Sequence, residues 1–279
     1  MMADQTIGVD LGGTHVRAGI VTKGRVSQLA TREINAKGSV DEVLNAIFHV
    51  IDALEFNHVH SIGIGVPSIV DTTTGMVYDV QNIPSWKEVP LKSLLEDRYK
   101  VEVFVNNDAN CLALAEKHFG YGKDHDNMVG LNIGTGLAAG IIINGQLYEG
   151  INCGAGELGM IPYLDHNFEY YTSGQFFSNV HGADGEHLFQ LVISGHKPSL
   201  AIFQELGHHL GHLVTTLLFA YDPSLLVIAG SVGKTYPLYH ENLWQVLKDF
   251  PYQQTVKKLQ VQVSTLAFPG ILGAGMLTP

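Results

Sequence analysis

Apolar residues recur along this 279-residue chain with two different periods. Residues 7–11 and 16–21 run or alternate apolar on either side of Gly12-Gly13-Thr14, the pattern of two strands joined by a tight hairpin. The same design returns from Met128, where VGLNI and LAAGII flank Gly134-Thr135-Gly136. Aligned on their glycines, Asp10 falls on Asn132 and Gly12 on Gly134. A polar strand near 25–34 follows the first hairpin. Val40 to Glu55 then carries Val40, Val43, Leu44, Ile47, Val50, Ile51 and Leu54 at helical spacing, started by Ser39 or Asp41. SIGIGVP reads as a short buried strand ended by Pro67, and a Gly/Pro/Asn-rich loop runs on to Pro90.

Farther along, the pattern predicts a helix at 91–98, the strand VEVFV at 101–105 and an Ala/Leu-rich helix from Asn110 to Phe119. After the second hairpin, residues 152–175 read as polar loop. Ser199 to Tyr221 reads as a long helix, LLVIAG at 225–230 as a buried strand and Asn242 to Phe250 as a helix. VQVSTLAF closes as a strand, and Gly270 to Leu277 as a short last helix. Strands alternate with helices and each half opens on a hairpin, which predicts two related α/β domains with a cleft between them. The expected division is 1–107 and 108–267, with 268–279 rejoining the first domain.

Composition narrows the class. An apolar fraction of 46%, 31 glycines and 15% charged residues fit a compact α/β protein rather than a disordered or fibrous chain. A net charge of -11 offers no basic face for nucleic acid, while leaving phosphorylated small molecules open. Cys111 and Cys153, the only cysteines, make no disulfide framework, so a reducing cytoplasm is expected. No basic segment leads into an apolar one at the N-terminus, and no apolar stretch reaches the ~18 residues of a membrane span. Neither a signal peptide nor a membrane partner is expected.

A single glycine hairpin needs no ligand, because glycine supplies positive φ cheaply. Two copies, each with a threonine and an adjacent Asp or Asn, suggest more. Backbone N–H groups in such turns form anion-binding concavities, and the missing side chains admit a phosphate closely. Two facing turns could grip one polyphosphate from both sides of a cleft, with Asp10 placed to hold Mg2+ directly or through water. Other nucleotide signatures fail: there is no G-x-x-x-x-G-K-[ST], and residues 134–140 run G-x-G-x-x-x-G into a strand. Asn107-Asp108-Ala109-Asn110 follows a predicted strand end. There Asp108 could serve as a general base or as a helix cap, and the residues alone leave both readings open.

DLGGTHVRAG, GVPSIVD, NIPSW, NNDANC, NIGTG and GAGELG occur in that order. Together they resemble the ROK family of sugar kinases, within the actin-like ATPase superfamily, and DPSLLVIAGSV at 222–232 resembles its adenosine-side strand and turn around Gly230. The resemblance implies two actin-like, ribonuclease H-like domains, ATP with Mg2+, and Asp108 as general base on a sugar hydroxyl. It implies Ser68, Asn82, Asn107, Asp108, Glu157 and Glu169 around the sugar. Gly12, Gly13, Thr14, Gly134, Thr135, Gly136 and Gly230 fall on the nucleotide side. It also implies a homodimer. ROK repressors carry a DNA-binding domain ahead of the first phosphate motif, which here begins at residue 7, so a kinase is expected over a repressor. An inactive sugar-binding sensor is the remaining alternative.

Three departures matter. The structural zinc usual in the family lacks its ligands, with Met160 at the histidine position and Asn167 at the last cysteine, so no zinc is expected. Aromatics Tyr163, Phe168, Tyr170 and Tyr171 are expected to hold that loop instead. Ser68-Ile69 replaces Gly-Pro beside the sugar, and Ala138-Ala139 replaces glycines beyond the second turn. Among 14 histidines, His208 and His212 have the i,i+4 spacing of a chelating pair, although surface or packing roles are expected. Lys234 is expected to be an exposed loop lysine.

Overall fold

The computed structural model describes residues 5–56 and 59–277. Its first half is built on a five-stranded sheet of order β3-β2-β1-β4-β8. Strands β1 (Thr6–Leu11), β2 (His15–Thr22) and β3 (Arg25–Glu33) form an antiparallel meander. Helix α1 (Val40–Asp52) covers it with Val43, Leu44, Ile47, Val50 and Ile51 turned inward. Its start is a capping box: Ser39 Oγ accepts from the Glu42 amide, and the Glu42 carboxylate accepts from the Ser39 amide. Strand β4 (Ser61–Val66) is buried at every residue, as an apolar strand in the parallel centre of a sheet must be.

Residues 67–90 depart from the expected loop. They fold as a small three-stranded sheet of β5 (Ile69–Asp71), β6 (Met76–Tyr78) and β7 (Glu88–Pro90). Three-residue strands are too short to show a period, and the turn between the first two is set locally by Asp71 Oδ1, which accepts from the Thr73 and Thr74 amides. Helix α2 (Leu91–Tyr99), β8 (Glu102–Asn107) and α3 (Asp108–Phe119) follow.

The second half repeats the first. Strands β9 (Met128–Ile133), β10 (Leu137–Ile143) and β11 (Gln146–Leu147) form an antiparallel meander. A two-stranded ribbon, β12 (Pro162–Tyr163) with β13 (His166–Asn167), leads into α4 (Phe168–Thr172), α5 (Gln175–His181) and α6 (Gly185–Ile193). The long α7 (Lys197–Tyr221) precedes β14 (Leu225–Ala229), α8 (Gly230–Gly233), α9 (Tyr236–Leu247), α10 (Gln253–Lys258), β15 (Gln260–Val263) and α11 (Pro269–Ala274). The sheet order β11-β10-β9-β14-β15 matches the first sheet strand for strand, so the molecule is two α/β halves of one topology. Asp10 and Asn132 hold the same place, the fifth residue of the first strand of each meander.

Some boundaries moved. Helix α9 begins at Tyr236 rather than Asn242, because Pro237 fits a helix start, and the last strand stops at Val263. Helices α5 and α6 lie where the sequence pattern named no element. Helix α3 lies between the two sheets, against β4 and α11 on one side and β9 and β10 on the other. Glycines make that approach possible: a Cβ at Gly65 of β4 would stand 3.3 Å from Asp108 Cα, and one at Gly130 of β9 would stand 3.1 Å from Ala113 Cα. None of the described helices is long and apolar enough to cross a membrane.

Candidate active site

Both hairpin turns and the end of β8 open onto one cavity of about 700 Å3. Gly12, Gly13, Ser68, Asn82, Asn107, Asp108, Gly134, Thr135, Gly136, Glu157 and Glu169 all line it, drawn from both halves of the molecule. Within the turns, the Gly12 amide donates to the His15 carbonyl at 2.9 Å and the Gly134 amide to the Gly136 carbonyl at 3.0 Å. Those two bonds close the hairpins. Among the described residues, the amides of Gly13, Thr14, Thr135 and Gly136 meet no backbone acceptor and stay available to a ligand. Thr14 itself lies outside the cavity lining, exposed, with its hydroxyl 3.0 Å from His15 Nδ1.

Asn107 caps α3. Its Oδ1 accepts from the Ala109 amide at 2.8 Å, which leaves Nδ2 to donate to the Ser68 carbonyl (3.2 Å) and toward Glu157 Oε1 (3.5 Å). The cap therefore falls to Asn107, and Asp108 takes the first helical position. One Asp108 oxygen also accepts from the Ala109 amide at 2.9 Å. Burial holds the Asp108 carboxyl up to about 7, helped by the negative charge of Asp10, against the lowering effect of the helix-start amides. Burial raises Asp10 as well, with Arg17 pulling the other way, and burial beside Glu169 raises Glu157. Asp10 is not in the cavity lining. It lies behind the first turn against α11, where a Cβ at Gly270 would come within 2.7 Å of its carboxyl carbon.

Ser68 donates its hydroxyl to the Tyr78 carbonyl, tying the small sheet to the end of β4. Asn82 stands beside the first turn, where a Cβ on Gly13 would lie 3.3 Å from the Asn82 Cβ. Glu169 accepts from the Leu137 amide at 2.9 Å and from Gln175 Nε2 at 3.0 Å, with Gly136 packed over its carboxylate. It thus borders the second turn as well as the expected sugar side. Gly230 lies outside the first cavity. Its φ of +89° turns the chain against the end of β9, and the following Ser231 and Val232 line a second cavity of about 620 Å3.

That second cavity shares Gly134 and Thr135 with the first and adds Gln175, Phe177, Glu186, Phe189 and Lys234. Sequence reading missed Gln175, Glu186 and Phe189, which sit in helices that gave no motif. Lys234 is exposed, as expected, and it also lines this cavity. In the first cavity the missed residues are Tyr78, Asp79, Gln81 and Asn152. Met160, 41% exposed, lines the same cavity as Glu157 and Glu169.

Its loop is held by aromatics: Tyr163 stacks on Phe168 with centroids 4.4 Å apart and meets Tyr171 edge-on. Tyr163 also shares a 3.1 Å hydrogen bond with His209 of α7. The His208 and His212 Nε2 atoms lie 3.3 Å apart. Among the described residues no group of three His, Cys, Asp or Glu side chains is arranged around a common metal position.

A model described as the ROK family matches residues 6–279. A glucokinase of Thermotoga maritima is 28% identical, the match covering 97% of this chain and 96% of the relative. A xylose repressor of Bacillus subtilis is 26% identical over 95% of this chain and 74% of its own. A solved ROK family glucokinase from Streptomyces griseus, in complex with glucose and AMPPNP, superposes with a TM-score of 0.83 at 27% identity and 98% coverage of both chains.

Proposed function

The chain belongs to the ROK family, and from that membership and the cavity chemistry we propose that it phosphorylates a hexose or hexose derivative with ATP, using Asp108 as general base. One observation carries the reading: a single cavity gathers both glycine turns, the raised Asp108 carboxyl and the Asn107–Glu157 pair. A base with a pKa near neutrality is ionised in a substantial fraction at neutral pH and is stronger than an ordinary carboxylate toward a hydroxyl proton. Asn107, Glu157, Glu169, Asn82 and Ser68 would surround the sugar hydroxyls. The free amides of the two turns would hold the phosphates, and the second cavity, beside Gly230, would take the adenosine.

Magnesium fits the residues present. Asp10 and Asp108 are two electrostatically coupled carboxylates in a buried setting, and among the described residues no side-chain donor bonds Asp10. A hard dication suits that donor set. When bound, it would neutralise charge on the phosphates and on Asp10. The chain's own part is to align the sugar hydroxyl, exclude water and accept the proton at Asp108. We also propose the division 1–107 plus 268–279 against 108–267, supported by the packing of α11 on β1 and β4, and a homodimer in solution.

The alternative, a sugar-binding sensor with little or no turnover, draws support from Met160. A thioether in the cavity wall gives a sugar hydroxyl only a weak acceptor. Incubation with Mg-ATP across hexoses and N-acetylhexosamines, with product masses read by mass spectrometry, separates the two. A hexose monophosphate that chelator abolishes is expected. Sugar binding by calorimetry with no product from any sugar would favour the sensor.

A further inference from the structure

Asn106 is the buried residue just before the Asn107–Asp108 pair, and nothing said so far gives it a task. It is 3% exposed and sits on β8 opposite Gly65 of β4. Its Oδ1 accepts from the Asn107 amide at 2.8 Å, from Asn110 Nδ2 at 2.9 Å and from the Cys153 thiol at 3.3 Å. Its Nδ2 donates to Glu149 Oε1. Every polar atom of one side chain is therefore committed.

These contacts join different parts of the fold. Asn106 belongs to the first sheet, and Asn110 to the helix that Asp108 begins. Glu149 and Cys153 lie in the loop that leaves the second sheet after β11. The same loop supplies two cavity residues. Asn152 is fixed by its carbonyl, which accepts from the Val70 amide at 3.3 Å, and Glu157 ends the loop with its amide 3.4 Å from the Gly154 carbonyl. Within it, the Ala155 amide closes onto the Glu149 carbonyl at 3.2 Å.

We propose that Asn106, through Glu149 and Cys153, is a positioning residue that sets the distance between the Asn107–Asp108 strand end and the loop carrying Asn152 and Glu157. It lines neither of the two cavities. It acts by pinning the two pieces whose separation decides whether a sugar hydroxyl meets Asp108. A buried amide with four partners suits such a joint, because each partner left unpaired is costly and the arrangement is all or nothing. The conclusion rests on the kinase reading for its consequence, though not for the joint itself.

Two measurements test it on the full chain. Hydrogen exchange by mass spectrometry compares the parent with Asn106→Ala and Glu149→Ala. Protection is expected to fall in 106–111 and 148–157 and to stay unchanged in α7 and β14. Unchanged protection at 148–157 would overturn the joint. Steady-state kinetics then compare Asn106→Ala, Glu149→Ala and Glu149→Gln, the last keeping an acceptor for Asn106. With misplacement of about 1 Å costing up to roughly 100-fold, kcat is expected to fall about 10- to 100-fold and the sugar KM to rise. The ATP KM should hold, and Glu149→Gln should restore most of the loss. Lost protection with unchanged kcat and sugar KM would make the network structural only and overturn the positioning role. A parent with no turnover on any sugar would sink the kinase reading, while the exchange data would still decide the joint.

Discussion

At the residue scale, Asp108 joins two properties that usually conflict. Its carboxyl is held up to about 7 by burial and by Asp10, so the folded chain keeps that proton more tightly than the unfolded chain, where the group has its ordinary value of 3.8. The stability this lends is complete below the ordinary value and is lost as pH rises through about 7. In its proposed role as general base Asp108 works the other way, because only the ionised form can take a proton. With both substrates well below saturation, kcat/KM is expected to rise with pH to a limb near 7. Asp108→Asn is expected to melt higher than the parent, by a margin that grows from pH 5 to pH 8. A variant melting below the parent at pH 8 would contradict the burial account. Asp108 could be found in sequence because it lies beside a strand end within a family string. Asn106, two positions earlier, could not, since its meaning comes from partners 43 and 47 positions away that only the fold brings near.

The elements divide in a similar way. Both hairpins were readable, because strands of six to eight residues around a glycine turn show their period. The strands of 69–90 hold three residues each and showed none, although they carry Ser68 and Tyr78 to the cavity. Two helices offer a contrast in mutation. Ser39→Ala removes the capping box of α1, away from the cavity, and should cost about 1 kcal/mol of stability with unchanged kinetics. Gly273→Ala sets a methyl on the Cys111 carbonyl of α3, displacing the helix that also backs Asp10. It should cost about 1–3 kcal/mol and lower kcat as well. Chemical denaturation with parallel kinetics checks both; equal kinetic effects of the two would show that α11 has no special bearing on the site.

For the whole molecule, the repeat of one topology accounts for two glycine turns in one chain. Two halves of the same topology face each other across α3, and each brings its first hairpin to the common cavity. The repeat could be read from sequence, since Asp10 and Asn132 align on their glycines. The second cavity could not, because Gln175, Glu186 and Phe189 come from helices with no motif and converge only when α5, through Phe177 on Phe203, and α6 fold against α7. The acidic lining of the first cavity gains one member in three dimensions, where Asp79 joins Asp108, Glu157 and Glu169 in one wall system. The measurement that bears most directly on this account is ADP release with Mg-ATP and the best hexose, parent beside Asp108→Asn. The account predicts sugar-dependent release by the parent and a loss of roughly 100-fold or more in the variant; equal sugar-dependent release by both would contradict it.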